Sequence, residues 1–148
     1  MLRISWGFAA LVPIGSSLPL WAGTSGRLLL ACLPDDKREK LLAQLALQRF
    51  TEETITSVAA LRRDLQRVRK QGYAVSYGER VGGAASISTP VRDGRGNVVA
   101  AFTISAPRER FLSQEELLLH LAREGAARLS AQIGYTSNSP QKTVLVTP

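Results

Sequence analysis

The sequence has one cysteine, Cys32, and one histidine, His120, among its 148 residues. A disulfide bond within the chain is therefore excluded, and a zinc site with Cys and His ligands is nearly excluded because it needs several of them. A nucleophile that depends on a histidine base can use only His120, which falls in a helical apolar pattern typical of a packed or surface residue. The sequence thus argues against most hydrolases and against metal-dependent functions.

Long apolar runs and nucleotide-binding motifs are missing as well. No apolar stretch approaches the length of about 18 residues that a membrane-spanning helix needs. No GxGxxG lies between a strand and a helix, no Walker loop or HExxH is present, and Gly94–Gly96 has only turn chemistry. We therefore predict a protein that is not an enzyme, needs no cofactor or metal and does not contact a membrane.

Acidic residues are in the minority, with 12 Asp and Glu against 19 Lys and Arg and a formal net charge of +7. Such an excess can indicate a nucleic-acid partner. The dense part of the positive charge is one cluster on a predicted helix, made of Arg62, Arg63, Arg67, Arg69 and Lys70. Because an apolar stripe occupies the other side of this helix, we interpret the cluster as a solvated face.

The first 23 residues are compatible with two interpretations. Arg3, the apolar stretch Ile4–Leu11 and the small residues Ala22-Gly23 resemble a short signal peptide. Glycine and proline residues interrupt the apolar stretch, and a Leu-Pro-Leu-Trp sequence is unusual before a cleavage site. We therefore favour a cytoplasmic protein in which Phe8–Ile14 is a strand, and a secreted protein stays as an alternative.

Hydrophobic periodicity predicts an α+β fold in a single domain, with four helices and about four mostly antiparallel strands. Helices are expected over residues 27–33, 35–46, 57–71 and 113–134, and strands over 8–14, 73–77, 84–91 and 97–105. Ser57 and Gly72 have the N-cap and left-handed C-cap signals of the third helix. Ser113–Glu116 matches a capping box at the start of the last helix.

The last two strands are joined by Asp93–Gly96, a strong hairpin signal. If Arg92 pairs with Asn97, Ser86 lies opposite Thr103. Because side chains alternate along a strand, the two faces of the hairpin differ in polarity. One face carries Ser86, Ser88, Thr103 and Ser105, and the other carries Ala85, Ile87, Val91, Val98, Phe102 and Ile104.

The hydroxyl-bearing face has short side chains that leave space above the sheet. Such a surface suits a small polar ligand oriented by a few hydrogen bonds, although a solvent-exposed sheet face has the same composition. A second candidate is the turn Gly23–Gly26, where the free N–H groups of a helix start, together with the Thr24 and Ser25 hydroxyls, can bind an anion. An ordinary capped helix start explains that turn equally well.

The order of these motifs resembles the IclR family of bacterial transcriptional regulators. The clearest stretch is Leu18–Ala31, with the sequence LPLWAGTSGRLLLA. The later stretches, in order, are Phe50-Thr51 with Thr54–Thr56, Leu61–Arg69 with Gly72-Tyr73, Ser86–Asp93 with Gly96, Ala100–Pro107 and the closing helix to Gly134. Together they cover about residues 8 to 135.

The resemblance implies the effector-binding domain of that family, a curved antiparallel sheet flanked by helices and similar to GAF and PAS modules. Such a domain binds a small organic or aromatic acid, forms dimers or tetramers, and modulates DNA binding by a winged helix-turn-helix. The effector-binding residues that it implies are Thr24, Ser25, Ser76, Ser86, Thr103 and Ser105. The expected organisation is an extension over 1–7, the domain over 8–135 and a disordered tail over 136–148.

The sequence departs from the family pattern in two places. Ser76-Tyr77-Gly78 replaces the start of an acidic run and leaves only Glu79, and Tyr77 favours a flatter or more apolar effector. The helix-turn-helix, the linker helix and the first helix and hairpin of the effector domain have no counterpart in the sequence. We therefore expect an N-terminally truncated domain whose sheet has an open edge.

Two further hypotheses stand beside the ligand sensor. In one, the chain is an interaction module without a ligand, and the open sheet edge and the basic helix 57–71 contact another protein. In the other, the chain is a secreted protein that is cleaved near Ala22.

Overall fold

The computed structural model describes residues 12–136. Within them the chain forms five helices and three strands. In order they are α1 (Thr24–Cys32), α2 (Asp35–Leu42), α3 (Val58–Gln71), β1 (Ala74–Ser76), β2 (Ala84–Arg92), β3 (Val98–Pro107), α4 (Arg108–Ser113) and α5 (Glu115–Gln132). The strands make one antiparallel sheet in the order β1-β2-β3. The α+β class and the flanked antiparallel sheet are as predicted.

Helices cover both faces of this sheet. The Ser88 hydroxyl bonds to Thr24 of α1, whereas the Thr89 hydroxyl donates to the Ala122 carbonyl of α5. Since neighbouring residues of a strand point to opposite faces, α1 and α5 lie on opposite sides of β2. Helix α3 packs against α1 from outside, and α4 packs beside α5.

Each face has its own apolar core. On the α1 side, Leu28 and Leu30 of α1 pack with Leu61, Leu65 and Val68, the stripe of α3 that periodicity predicted. On the α5 side, the core consists of Ala85, Ile87, Phe111 and Ala122 with partly buried neighbours. The sheet is therefore covered on both faces, and Thr24 and Ser88 are buried between it and α1, whereas Thr103 and Ser105 on the same face are exposed.

Helix α3 begins and ends at the predicted residues. The Ser57 side chain accepts a hydrogen bond from the Ala60 N–H, and Gly72 is the left-handed C-cap. The capping box predicted at Ser113–Glu116 is wrong, because Ser113 ends α4, an additional helix that periodicity did not predict. Its hydroxyl donates to the Arg110 carbonyl instead.

Replacement of Ser57 by alanine should lower the free energy of unfolding by about 1 kcal/mol, because the Ala60 N–H loses its acceptor. Urea denaturation followed by circular dichroism measures this change. Ser113→Ala is the matched control, since that serine caps no helix, and its effect should stay within about 0.5 kcal/mol. Equal effects of the two substitutions would contradict the assignment of Ser57 as the N-cap.

The hairpin register differs by two residues from the expected one. Ser86 pairs with Ser105 and Ser88 with Thr103, so Ser86 does not lie opposite Thr103. The reason is the turn: the Asp93 N–H donates to the Asn97 carbonyl, and the loop between them is one residue shorter than predicted. A shift by an even number keeps every side chain of the paired region on its face.

A β-bulge lies next to the turn and accounts for the second residue of the two-residue difference in register. The register changes between Val91, which pairs with Ala100, and Arg92, which pairs with Val98, so Val99 is the extra residue. Val98 consequently lines a cavity with Leu28 of α1. The prediction that Val98 shares a face with Phe102 and Ile104 is therefore wrong.

Several predicted boundaries also differ. Helix α1 begins at Thr24 rather than Arg27, and α2 ends at Leu42 rather than at residue 46. Of the predicted strand Phe8–Ile14, residues 8–11 lie outside the described part, and residues 12–14 are not in a strand. The extension over 1–7 and all but the first residue of the tail also lie outside it.

The sheet has two edges in the described part of the chain. Strands β1 and β3 each pair with β2 and with no other strand there, so the outer edge of β3 is unpaired by residues 12–136. No helix in the same residues is both long and apolar enough to cross a membrane.

Candidate functional site

A cavity of about 80 Å³ lies between the start of α1, the loop that follows β1, and the α1-facing side of the hairpin. Every residue predicted to bind an effector lines it: Thr24, Ser25, Ser76, Ser86, Thr103 and Ser105. Alternation along β2 and β3 brings the hairpin residues to this side, and β1 adds Ser76 from the neighbouring strand. The structure thus places these residues around one space.

A chain of hydroxyl groups forms one wall of the cavity. The Ser88 hydroxyl donates to Thr24 Oγ1 at 2.7 Å and lies 2.6 Å from Thr103 Oγ1. Because a hydroxyl has a single proton, the Thr103 hydroxyl must be the donor to Ser88. Thr24 Oγ1 is also 3.1 Å from Ser86 Oγ, which continues the chain.

This hydroxyl chain leaves a donor for a ligand. Thr24 and Ser86 share one hydrogen bond but have two protons between them, and no other described group accepts the second. That proton can be donated to an oxygen atom in the cavity. Ser88, which is fully buried, holds the chain together; the alternation pattern placed it on this face, but it was left out of the predicted site.

The start of α1 is already bonded to an acidic side chain. Gly23 adopts a positive φ of 97°, and its N–H donates to Glu79 Oε2 at 3.1 Å. The expectation of a free anion site in this turn is therefore wrong at Gly23, although no side chain caps α1. Burial raises the pKa of the Glu79 carboxyl, while Arg27 and the Gly23 N–H act in the opposite direction.

Arg27 connects this carboxylate to the protein interior. Its side chain is fully buried and forms ion pairs with Asp64 of α3 and with Glu79, the latter at 2.7 Å. It also donates to the Val75 carbonyl at 2.6 Å. The sequence signal for these ion pairs was an arginine within the apolar run of α1, which the predicted site did not include.

The loop that carries Glu79 is fixed by two threonines. The Thr54 hydroxyl donates to the Glu79 carbonyl at 2.6 Å, and the Thr51 hydroxyl donates to the Gly78 carbonyl at 2.7 Å. Ser76 Oγ accepts from the Glu79 N–H at 3.4 Å. Three side chains thus hold the loop against the sheet, which fixes the cavity wall that it forms.

Tyr77 does not contribute to the cavity. Its ring packs edge-on against Phe111 on the α5 side of the sheet, and its hydroxyl donates to Glu115 Oε1 at 2.7 Å. Burial and the Glu115 carboxylate raise the pKa of Tyr77 to about 12. The expectation that Tyr77 favours a flat effector is therefore wrong, because the pleat turns it away from Ser76.

The other candidate groups show no sign of a functional site. His120 is exposed on α5, and no group of His, Cys, Asp and Glu within residues 12–136 can hold a metal ion. In the basic cluster, Arg62 pairs with Glu39 and Arg69 with Asp35. These ion pairs neutralise part of the positive charge of the cluster, which agrees with its interpretation as a solvated face.

A comparison with known families supports a regulatory domain. Residues 7–131 match the model described as "Bacterial transcriptional regulator IclR C-terminal". The HTH-type transcriptional repressor AllR of Klebsiella pneumoniae is 39% identical in an alignment of 127 residues that covers 82% of this chain and 45% of the repressor. The chain therefore spans less than half the length of this curated relative.

Solved structures show the same fold. The crystal structure of the C-terminal domain of the E. coli transcriptional regulator KdgR has a TM-score of 0.74 and 36% identity, covering 79% of this chain and 72% of that one. An IclR homolog from Microbacterium hydrocarbonoxydans, crystallised in complex with 4-hydroxybenzoate, has a TM-score of 0.78 and 29% identity, covering 86% and 51%.

Proposed function

Because the chain belongs to the IclR family of bacterial transcriptional regulators, whose C-terminal domain it matches, we propose that the cavity beside α1 binds the regulator's effector. The family consists of transcriptional regulators, so the expectation of a protein that is not an enzyme is confirmed. We also propose that the whole regulator is a dimer or tetramer in the bacterial cytoplasm and that it acts on DNA through a winged helix-turn-helix.

The observation that carries the proposal is the hydroxyl chain with its unused proton. A cavity lined by short hydroxyl side chains, with an unused proton on the Thr24–Ser86 pair, matches an oxygen-rich ligand, and a carboxylic acid presents such oxygens. The volume of about 80 Å³ suits an acid of a few carbon atoms better than an aromatic one. The wall is preorganised, so the ligand does not need to order it.

Binding at this position can be transmitted to the rest of the domain. The cavity touches α1, the loop after β1 and both strands of the hairpin, so one ligand contacts several elements of the domain at once. An effector shifts the equilibrium between two arrangements only if it binds one of them more tightly. We propose that the change in these elements alters DNA affinity in the whole regulator.

Substitution of Ser86 by alanine should weaken binding of the effector acid about tenfold, the equivalent of one lost hydrogen bond. Substitution of Thr103 by valine should weaken it indirectly, because Ser88 loses its donor and the hydroxyl chain loses its order. Isothermal titration with a panel of small carboxylic acids measures the affinity. Thr56→Val is the matched control, because Thr56 is exposed and lies outside the cavity. Unchanged affinity in both cavity variants would exclude this cavity as the effector site.

An interaction module without a ligand is the second candidate. Its support is the outer edge of β3, which residues 12–136 leave unpaired, together with exposed apolar side chains of α5 and its C-cap, namely Leu117, Leu121, Leu129 and Ile133. Size-exclusion chromatography with light scattering separates the two candidates. A stable oligomer that no acid in the panel stabilises against heat would favour the second.

A further inference from the structure

The cavity contains very little charge. Among the residues that line it, only Glu79 and Arg80 ionise, and they are neighbours on the loop after β1. All other polar lining groups are backbone or hydroxyl groups. Within the cavity, the charge of a ligand therefore interacts with these two ionisable side chains.

The Glu79 charge is already balanced within the protein. Its carboxylate bonds to the Gly23 N–H and pairs with Arg27, which in turn pairs with Asp64. Arg27 thus serves two carboxylates and is fully buried behind the cavity wall. Its Nε atom has no hydrogen-bond partner among residues 12–136, but that atom is buried and Arg27 does not line the cavity, so Arg27 does not reach a carboxylate brought in by a ligand.

Arg80 is the arginine that lines the cavity, and none of the ion pairs formed among residues 12–136 includes it. The other arginines without an ion pair in these residues, such as Arg63 and Arg95, do not line the cavity. Arg80 is half-buried, so solvent screens its charge less than that of a fully exposed side chain. Its backbone is held in place because Thr54 and Thr51 bond to the two preceding carbonyls.

We propose that Arg80 binds the carboxylate of the effector, and that Glu79 restricts the effector to acids with a single carboxylate. This assignment rests on the proposed function of the cavity. A guanidinium binds a carboxylate through two parallel hydrogen bonds, which fixes the orientation of the acid as well as its charge. A second carboxylate beside Glu79 would have no cation to pair with, because Arg27 is already paired with Glu79 and Arg80 is occupied by the first carboxylate.

The test is isothermal titration of wild-type protein and variants with lactate and 4-hydroxybenzoate, the uncharged amides of both, and the dicarboxylate malate. Wild-type protein should bind at least one of the two monocarboxylates, and it should bind that acid at least tenfold more tightly than the corresponding amide. It should also bind lactate at least tenfold more tightly than malate. Arg80→Gln should weaken monocarboxylate binding at least tenfold and leave amide binding unchanged. Arg80→Lys should recover part of the affinity, since it restores the charge without the two-pronged geometry.

Arg95→Gln is the matched control, because Arg95 is exposed at the hairpin turn and lies outside the cavity. Thermal melting establishes that each variant is folded. If Ser86→Ala weakens binding and Arg80→Gln does not, Arg80 is not the carboxylate site while the effector cavity stands. If wild-type protein binds neither monocarboxylate, the proposal and the proposed function both fail. Equal affinity for lactate and malate would overturn the role of Glu79.

Discussion

Replacement of Arg27 by methionine should lower the free energy of unfolding by about 3–5 kcal/mol, the range expected when one partner of a buried ion pair is removed. The substitution nearly preserves side-chain length, but it leaves the Glu79 carboxylate without its counter-ion, Asp64 with only Arg67 as a partner, and the Val75 carbonyl without its donor. Urea denaturation at pH 7 measures the loss. Arg63→Met is the control, since Arg63 is exposed on α3.

The destabilisation by Arg27→Met should become smaller as the pH falls. Burial raises the pKa of Glu79, and Arg27 is the main group that opposes this effect. Without Arg27 the pKa of Glu79 rises further, so the native state of the variant gains stability when Glu79 takes up a proton. A deficit that stays the same at pH 4 and pH 7, or one no larger than that of Arg63→Met, would contradict the buried ion-pair assignment.

Replacement of Gly26 by alanine should lower the free energy of unfolding by about 1–3 kcal/mol, the usual effect of overpacking. A Cβ at Gly26 would lie 2.7 Å from the Leu20 Cα and carbonyl oxygen, which are backbone atoms that a rotamer change cannot move. In an open helix the same substitution stabilises by up to about 1 kcal/mol. The sign of the change in the free energy of unfolding therefore shows whether Gly26 packs against the Leu20 backbone or lies in an open stretch of helix.

The control for Gly26→Ala is Gly82→Ala. Gly82 has no atom within 4 Å of its ideal Cβ position, so its substitution should change stability by less than about 0.5 kcal/mol. Thermal and urea denaturation measure both variants. Because Leu20 leads into the turn at Gly23, the Gly26 variant should also bind an effector acid more weakly than the wild type. A Gly26 variant that is more stable than the wild type would show that Leu20 does not pack closely on α1.

Periodic patterns predicted the parts of the fold that depend on side-chain alternation. The stripe of Leu61, Leu65 and Val68 placed α3 against the core, and alternation in the hairpin placed Ser86 and Thr103 on one face. Both predictions hold even where the predicted ends of a helix or strand are wrong by a few residues. The face assignment survived the register error because the shift was by two residues.

Features that depend on a single residue's environment were not predictable in the same way. The register follows from a loop closed by Asp93 and Asn97 and from a bulge at Val99, and neither has a periodic signature. Burial of Arg27 depends on Asp64 and Glu79, which are distant in sequence. The hydroxyl residues that line the cavity were predicted from the sequence, whereas the charged groups beside them became visible only when the loop after β1 was placed beside α1.

The hydroxyl wall behaves as a unit with a direction. Thr103 donates to Ser88 and Ser88 donates to Thr24, whereas the bond between Thr24 and Ser86 can run either way. Thr103 is exposed, so water can donate to its free lone pairs. An acceptor oxygen in the cavity can therefore be met by the free proton of either Thr24 or Ser86, and the row adjusts to it by turning a single pair of hydroxyls.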